Sequence, residues 1–155
     1  MHAHAFQFAA LSLVPVRFLR ARLAYGVCVD EGVRQLAADS GALRSVHGER
    51  TGAGFATLAF VFERGILRLD CNADTDEVVA SADAAPNDLP EILNDATLAP
   101  LGGKVVEHAW TMANDQGFAD AFQVRCIDLD SRAEACVQVE AAAGVLMVTQ
   151  VVSLG

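Results

Sequence analysis

Basic residues are scarce in this chain. Eleven lysines and arginines stand against twenty aspartates and glutamates, a formal net charge of −9 over 155 residues. A surface of that sign repels phosphate backbones and anionic lipid, which excludes nucleic acid and membrane surfaces as partners and admits a basic protein or a small molecule in a sheltered pocket. A membrane-spanning run is also missing: a bilayer takes roughly 20 apolar residues, and the N-terminal stretch from Phe6 to Val16 is far shorter. Arg17, Arg20 and Arg22 follow that stretch instead of preceding it, the reverse of a secretory signal, so a cytoplasmic protein is expected. Paired cysteine spacing is absent too. Cys28, Cys71, Cys126 and Cys136 form no C-x-x-C, which argues against a disulfide framework or a zinc site and for reduced, mostly buried thiols. There is no G-x-S-x-G, H-E-x-x-H or P-loop, and the glycines of "HGERTGAGF" lack the strand-to-helix setting of a nucleotide loop and read as a flexible turn. No cofactor and no metal is called for.

What is present is a globular composition, 53% hydrophobic and 20% charged, in a chain long enough for one core. Residues 1–22 read as an apolar extension or packing segment and 23–155 as a single β-rich domain. From residue 55 onward, apolar residues alternate with period two. In "FATLAFVFERGILRLDC" this predicts a hairpin turning at Arg64 and Gly65, with Phe62 opposite Leu67 and Phe60 opposite Leu69. In "FQVRCIDLDSRAEACVQVEAA" it pairs Cys126 with Val137, Val124 with Val139 and Phe122 with Ala141, which points Cys126 and Cys136 to opposite faces. A last strand, "GVLMVTQVV", follows. Between the strand groups, residues 83–103 hold three of the four prolines and read as a connecting segment, with a short helical turn from Pro90 to Asn94. Upstream, "VDEGVRQLAADSG" predicts one short helix capped by Asp30 and stopped by Gly41. The expected class is α+β: an antiparallel meander of successive hairpins with one or two short helices.

Two segments invite a chemical reading. In "LDCNADTDEVV", Asp70, Asn72, Asp74 and Asp76 recur at every second position, as in a calcium loop. An EF-hand starting at Asp70 needs glycine at its sixth position and glutamate at its twelfth, where this chain has Thr75 and Ser81. An acidic turn with Asx bonds to its own backbone is therefore expected. The second segment, "WTMANDQGFAD", predicts a three-residue loop of Asp115, Gln116 and Gly117, with Trp110 opposite Phe122 and His108 opposite Val124. As turn chemistry it needs no ligand. As a recognition loop it offers Asn114 and Gln116 as hydrogen-bonding groups and Asp115 and Asp120 as charge.

The order of "ERGILRLDCNADTDEV", "LGGKVVEHAWTMANDQGFADAFQVR" and a closing strand pair resembles a family of small bacterial proteins known only as a domain of unknown function. Its signature is a tryptophan followed by N-x-Q-G-aromatic-x-D, here Trp110, Asn114, Gln116, Gly117, Phe118 and Asp120, with Phe118 in place of the usual tyrosine. An earlier acidic pair corresponds to Asp76 and Glu77. The resemblance implies a domain and no activity. The expected function is that of a non-catalytic cytoplasmic interaction module for a basic partner, of the kind that neutralises a basic toxin or regulates an enzyme. The alternative is a small-molecule-binding protein or enzyme using His108, Asp115 and Asp120 as its acid/base set. Either reading accommodates a homodimer.

Overall fold

The computed structural model describes residues 35–36, 39–82, 88–114 and 116–151. The segment 1–22 and Asp115 lie outside them. Among the described residues eight strands follow one another: β1 (Leu43–Thr51), β2 (Gly54–Phe62), β3 (Gly65–Asn72), β4 (Glu77–Ala82), β5 (Val105–Met112), β6 (Ala121–Ile127), β7 (Glu134–Ala142) and β8 (Val145–Val151). All ladders are antiparallel. The chain makes two four-stranded meanders, β1 to β4 and β5 to β8, which join along β2 and β8 at the pair Phe55↔Leu146. A bridge from Ala42 to Val105 brings the start of β1 to β5 on the far side. The sheet thus curls into a half-barrel. This corrects the α+β expectation: the helical pattern over 30–41 falls largely outside the described residues, Gln35, Leu36 and Asp39 alone being seen in helical conformation. The turn expected from Pro90 to Asn94 is not a helix; Glu91 bridges to His47 instead, and a 3₁₀ turn forms later, at Ala99–Leu101. Among the described residues no helix is long and apolar enough to cross a membrane.

Alternation explains the core. Phe60 and Leu58 of β2, Leu69 of β3, Phe122 and Val124 of β6, Val137 and Val139 of β7 and Leu146 of β8 are buried together on the inner face. The first and third predicted hairpins keep their inward sets, yet each is displaced by two residues. Phe60 pairs with Leu67 and Phe62 with Gly65, and Val124 pairs with Val137 and Cys126 with Ala135. A shift of two leaves every side chain on its own face, so hydrophobic pattern alone does not choose between these registers.

The thiols follow from that parity. Cys126 points inward and is fully buried, while Cys136 stands opposite Arg125 on the outer face. Both are free, as is Cys71. Burial, with a smaller contribution from Cys136, pushes the Cys126 thiol up to about 12. Thiol titration of the denatured protein without reductant is expected to find all four cysteines, with Cys126 unreactive until the native protein unfolds. Rapid native labelling of Cys126 would contradict its placement.

The open end of the half-barrel is closed by the segment that reads as a connector. Leu98 and Leu101 are 0% exposed and Ile92 is buried beside them. The Ile92 N–H donates to Val46 O (2.7 Å) and the Gly48 N–H to Pro90 O (3.0 Å). His47 Nδ1 donates to Leu89 O at 2.9 Å while its Nε2 hydrogen-bonds with the Ser45 hydroxyl at 3.0 Å. Arg50 reaches Asp95 at 2.6 Å. The backbone N–H of Thr97, then the Arg50 guanidinium, hold the Asp95 carboxyl below its ordinary range against the opposing effect of burial. Gly48, expected in a flexible turn, lies within β1; a Cβ there would come within 2.8 Å of Ile92 Cδ1, so glycine lets this lid approach the strand.

Candidate functional site

Three turns meet at the end of the half-barrel opposite the β6–β7 connection. The first joins β3 to β4. There the Asn72 side-chain oxygen accepts the Asp74 N–H (3.1 Å), and Asp76 adopts a left-handed backbone, φ 51°. The segment is the acidic hairpin turn expected of "LDCNADTDEVV", and oxygens of Asp70, Asn72, Asp76 and Glu77 are engaged with protein. Asp70 accepts from Thr57 Oγ1 (2.7 Å) and Arg68 Nε (2.8 Å). Burial raises the Asp70 pKa, but these hydrogen bonds and the Arg68 charge outweigh it and hold the carboxyl below its ordinary value. Asp76 Oδ1 accepts the Gly144 N–H across the molecule (2.8 Å), and Glu77 Oε1 accepts the Ala119 N–H (3.3 Å).

The second turn is the loop from β5 to β6. It runs from Ala113 to Asp120 and is not the three-residue loop that the sequence suggests, although Gly117 takes the left-handed conformation expected of it, φ 87°. Asn114 Oδ1 accepts from the Gln116 N–H (3.0 Å) and the Phe118 N–H (3.1 Å), and the Asn114 N–H donates to Phe118 O (3.0 Å). Asn114 therefore clasps the loop that presents Gln116 and Phe118. Ala119 O accepts the Val78 N–H (2.7 Å) and Asp120 O the Ala141 N–H (2.8 Å), which ties the loop to β4 and to the end of β7, just before the third turn, Ala143–Gly144. Asn114→Ala strips an acceptor from two backbone donors, so a loss of about 1 to 2 kcal/mol is expected in urea unfolding, well above the surface norm of about 0.5. A loss within that norm would show that the loop holds itself without the clasp.

Charge and apolar surface coincide here. The segments 73–77, 113–120 and 140–144 contain Asp74, Asp76, Glu77, Asp115, Asp120 and Glu140 and no lysine or arginine. Beside them are three of the exposed large hydrophobic residues: Phe118 at the loop tip (42% exposed), Met112 at the end of β5 (36%) and Val79 in β4 (48%). Asn114 and Gln116 are exposed in this loop and Asp120 is half-buried at its base. His108 does not join them. It sits four residues back along β5 from Met112, roughly 13 Å at the strand rise of about 3.3 Å per residue, exposed and edge-on to Trp110 with ring centroids 6.2 Å apart. The structure thus separates His108 from Asp120, and the acid/base set is not assembled between those two.

The reason lies in a β-bulge. Val106 pairs with Cys126, but His108 pairs with Arg125, so Glu107 is the extra residue and the parity of β5 reverses beyond it. Trp110 consequently stands opposite Gln123, and Thr111 opposite Phe122. The expected pairs Trp110–Phe122 and His108–Val124 are overturned, and both rings lie on the outer face. There Trp110, Gln123, Arg125, Glu134 and Cys136 line a half-open depression of about 390 Å³, bordered by the end of β8 at Gln150 and Val151. Arg125 is held by Glu134 and by Glu107, whose carboxylate lies 3.2 Å from Arg125 Nε. The hydrogen bond that Arg125 donates to Glu134 is the main cause raising the Arg125 pKa above the ordinary arginine value. Sequence reasoning finds Trp110 but not its orientation, and it misses Gln123, Arg125 and Glu134, which carry no spacing signal.

Residues 32–154 match the model of a family of unknown function, DUF6334. The chain belongs to that family. The match spans all eight strands of the DUF6334 domain described above and both candidate surfaces. No curated protein and no solved structure matches the chain.

Proposed function

We propose that this DUF6334 domain is a non-catalytic, cytoplasmic interaction module whose acidic end receives a basic protein partner. The observation that carries the reading is the conjunction at that end: Phe118, Met112 and Val79 exposed among carboxylates, with no basic residue in the three turns. Apolar anchors ringed by charge of one sign are the makings of a protein interface, the anchors contributing affinity and the rim contributing on-rate and choice of partner. The turns are cross-tied through Asp76, Glu77 and the Ala119 carbonyl, so the surface is held ready on a sheet. On this reading the set Trp110, Asn114, Gln116, Gly117, Phe118 and Asp120 is the signature of a bacterial family, in which Asn114 shapes the loop and the aromatic residue at 118 is the part that touches the partner.

The test is purification of the tagged full-length chain from its own host at physiological salt, beside the variant Phe118→Ser/Asp74→Lys. Both side chains are exposed, so the variant should unfold as the parent does. A stoichiometric basic protein, retained by the parent, released by raised salt and lost from the variant, is the expected result. Equal retention by both proteins, or only acidic companions, would contradict it.

A further inference from the structure

The depression on the outer face of β5 to β8 is a second surface that the acidic end does not use. We infer that it binds a neutral polyhydroxylated ligand, a carbohydrate, with one sugar ring lying on the indole of Trp110 and its hydroxyls on the Gln123 amide and the Arg125–Glu134 pair. The bulge at Glu107 is the first ground. Alternation along β5 would send Trp110 into the core, and the extra residue turns it onto the outer face of the sheet; bulges recur where a side chain is re-aimed at a functional site. The result is a large aromatic ring, half-buried, as one wall of a concavity of about 390 Å³, within the size range of small-ligand sites.

The lining selects the chemistry. Gln123 carries a donor and an acceptor, Arg125 adds donors and Glu134 acceptors, so adjacent hydroxyls, which both donate and accept, are satisfied from several directions. Gln123 is fixed by donating to Gln138, which in turn donates to Glu140. An anion is disfavoured because Arg125 is already shared by Glu107 and Glu134 in a chain of net charge −9. A cation meets Arg125 in the same wall, and a purely apolar ligand would leave these polar groups unpaired. A neutral ring with one apolar C–H face and a polar rim fits what is left.

The chain holds one tryptophan, so its intrinsic fluorescence reports this depression alone. The native full-length protein is titrated with neutral hexasaccharides of glucose, N-acetylglucosamine, mannose and xylose, and separately with AMP and choline. The expected result is a saturable change with at least one oligosaccharide at or below about 1 mM, weakened about tenfold or more in Glu134→Ala and Gln123→Ala, and none with AMP or choline. Glu134 is exposed, so its variant decides the matter should the Gln123 variant fail to fold. The inference is overturned by no saturable response from any of the four up to about 10 mM, by a response to AMP or choline alone, or by oligosaccharide binding indifferent to both substitutions. None of these outcomes bears on the acidic end, which lies around other residues.

Discussion

Leu98→Ala is expected to destabilise the domain by about 2 to 5 kcal/mol, the usual cost of removing a buried leucine and leaving a cavity. Leu98 lies in a proline-rich stretch between the two meanders, where exposed connector side chains tolerate truncation. Its side chain is instead 0% exposed and belongs to the same core as Phe60 and Leu146. The segment around it is pinned to β1 by backbone bonds at Gly48 and Ile92 and by the His47 ring, and cannot collapse freely into the vacated space. Urea unfolding measures the loss, with Leu129→Ala as the comparison, since Leu129 is 57% exposed and its removal should change stability by no more than about 0.5 kcal/mol. Similar small effects at both positions would mean that residues 89–103 do not close the half-barrel.

Phe122→Ala is expected to cost about 3 to 5 kcal/mol, and Trp110→Ala only about 1. Phe122 is fully buried between β5 and β7, opposite Thr111 and Val139, and is among the largest core side chains. Trp110, larger still, stands on the outer face beside His108 and retains solvent contact. Without the bulge the two rings would face each other in the core and the two substitutions would cost alike. Equal losses would therefore place Trp110 inside and remove the outer-face depression as a site.

How much of this was legible in the residues follows from what period-two patterning encodes. Leu58, Phe60, Leu67 and Leu69 read correctly as one inner face, because alternation reports the face. It does not report the rung, so the turn placed at Arg64–Gly65 falls one residue early in the structure, with Gly65 already pairing Phe62. A bulge leaves no compositional mark, and one inserted residue at Glu107 was enough to send both His108 and Trp110 to the wrong side of the expected sheet. The lid failed for a different reason: its prolines mark it as a connecting segment, but its burial comes from Ile92, Leu98 and Leu101 meeting strands distant in sequence. The α+β class overweighted a short helical pattern near Leu36 against a domain that is otherwise strand. Of the candidate site, Asn114, Gln116 and Asp120 do lie in the loop expected to present them. The local sequence could not show that Asn114 is bonded to the backbone, or that Phe118, Met112 and Val79 share the acidic end.

The orientation of Trp110 decides between the two pictures of the molecule, and acrylamide quenching of its fluorescence measures it directly. With a single tryptophan in the chain, the native quenching constant is expected to be a substantial fraction of that in urea-unfolded protein, as befits a ring open to solvent on one side. A native constant near zero, rising only on unfolding, would put the ring in the core and contradict the outward turn of β5.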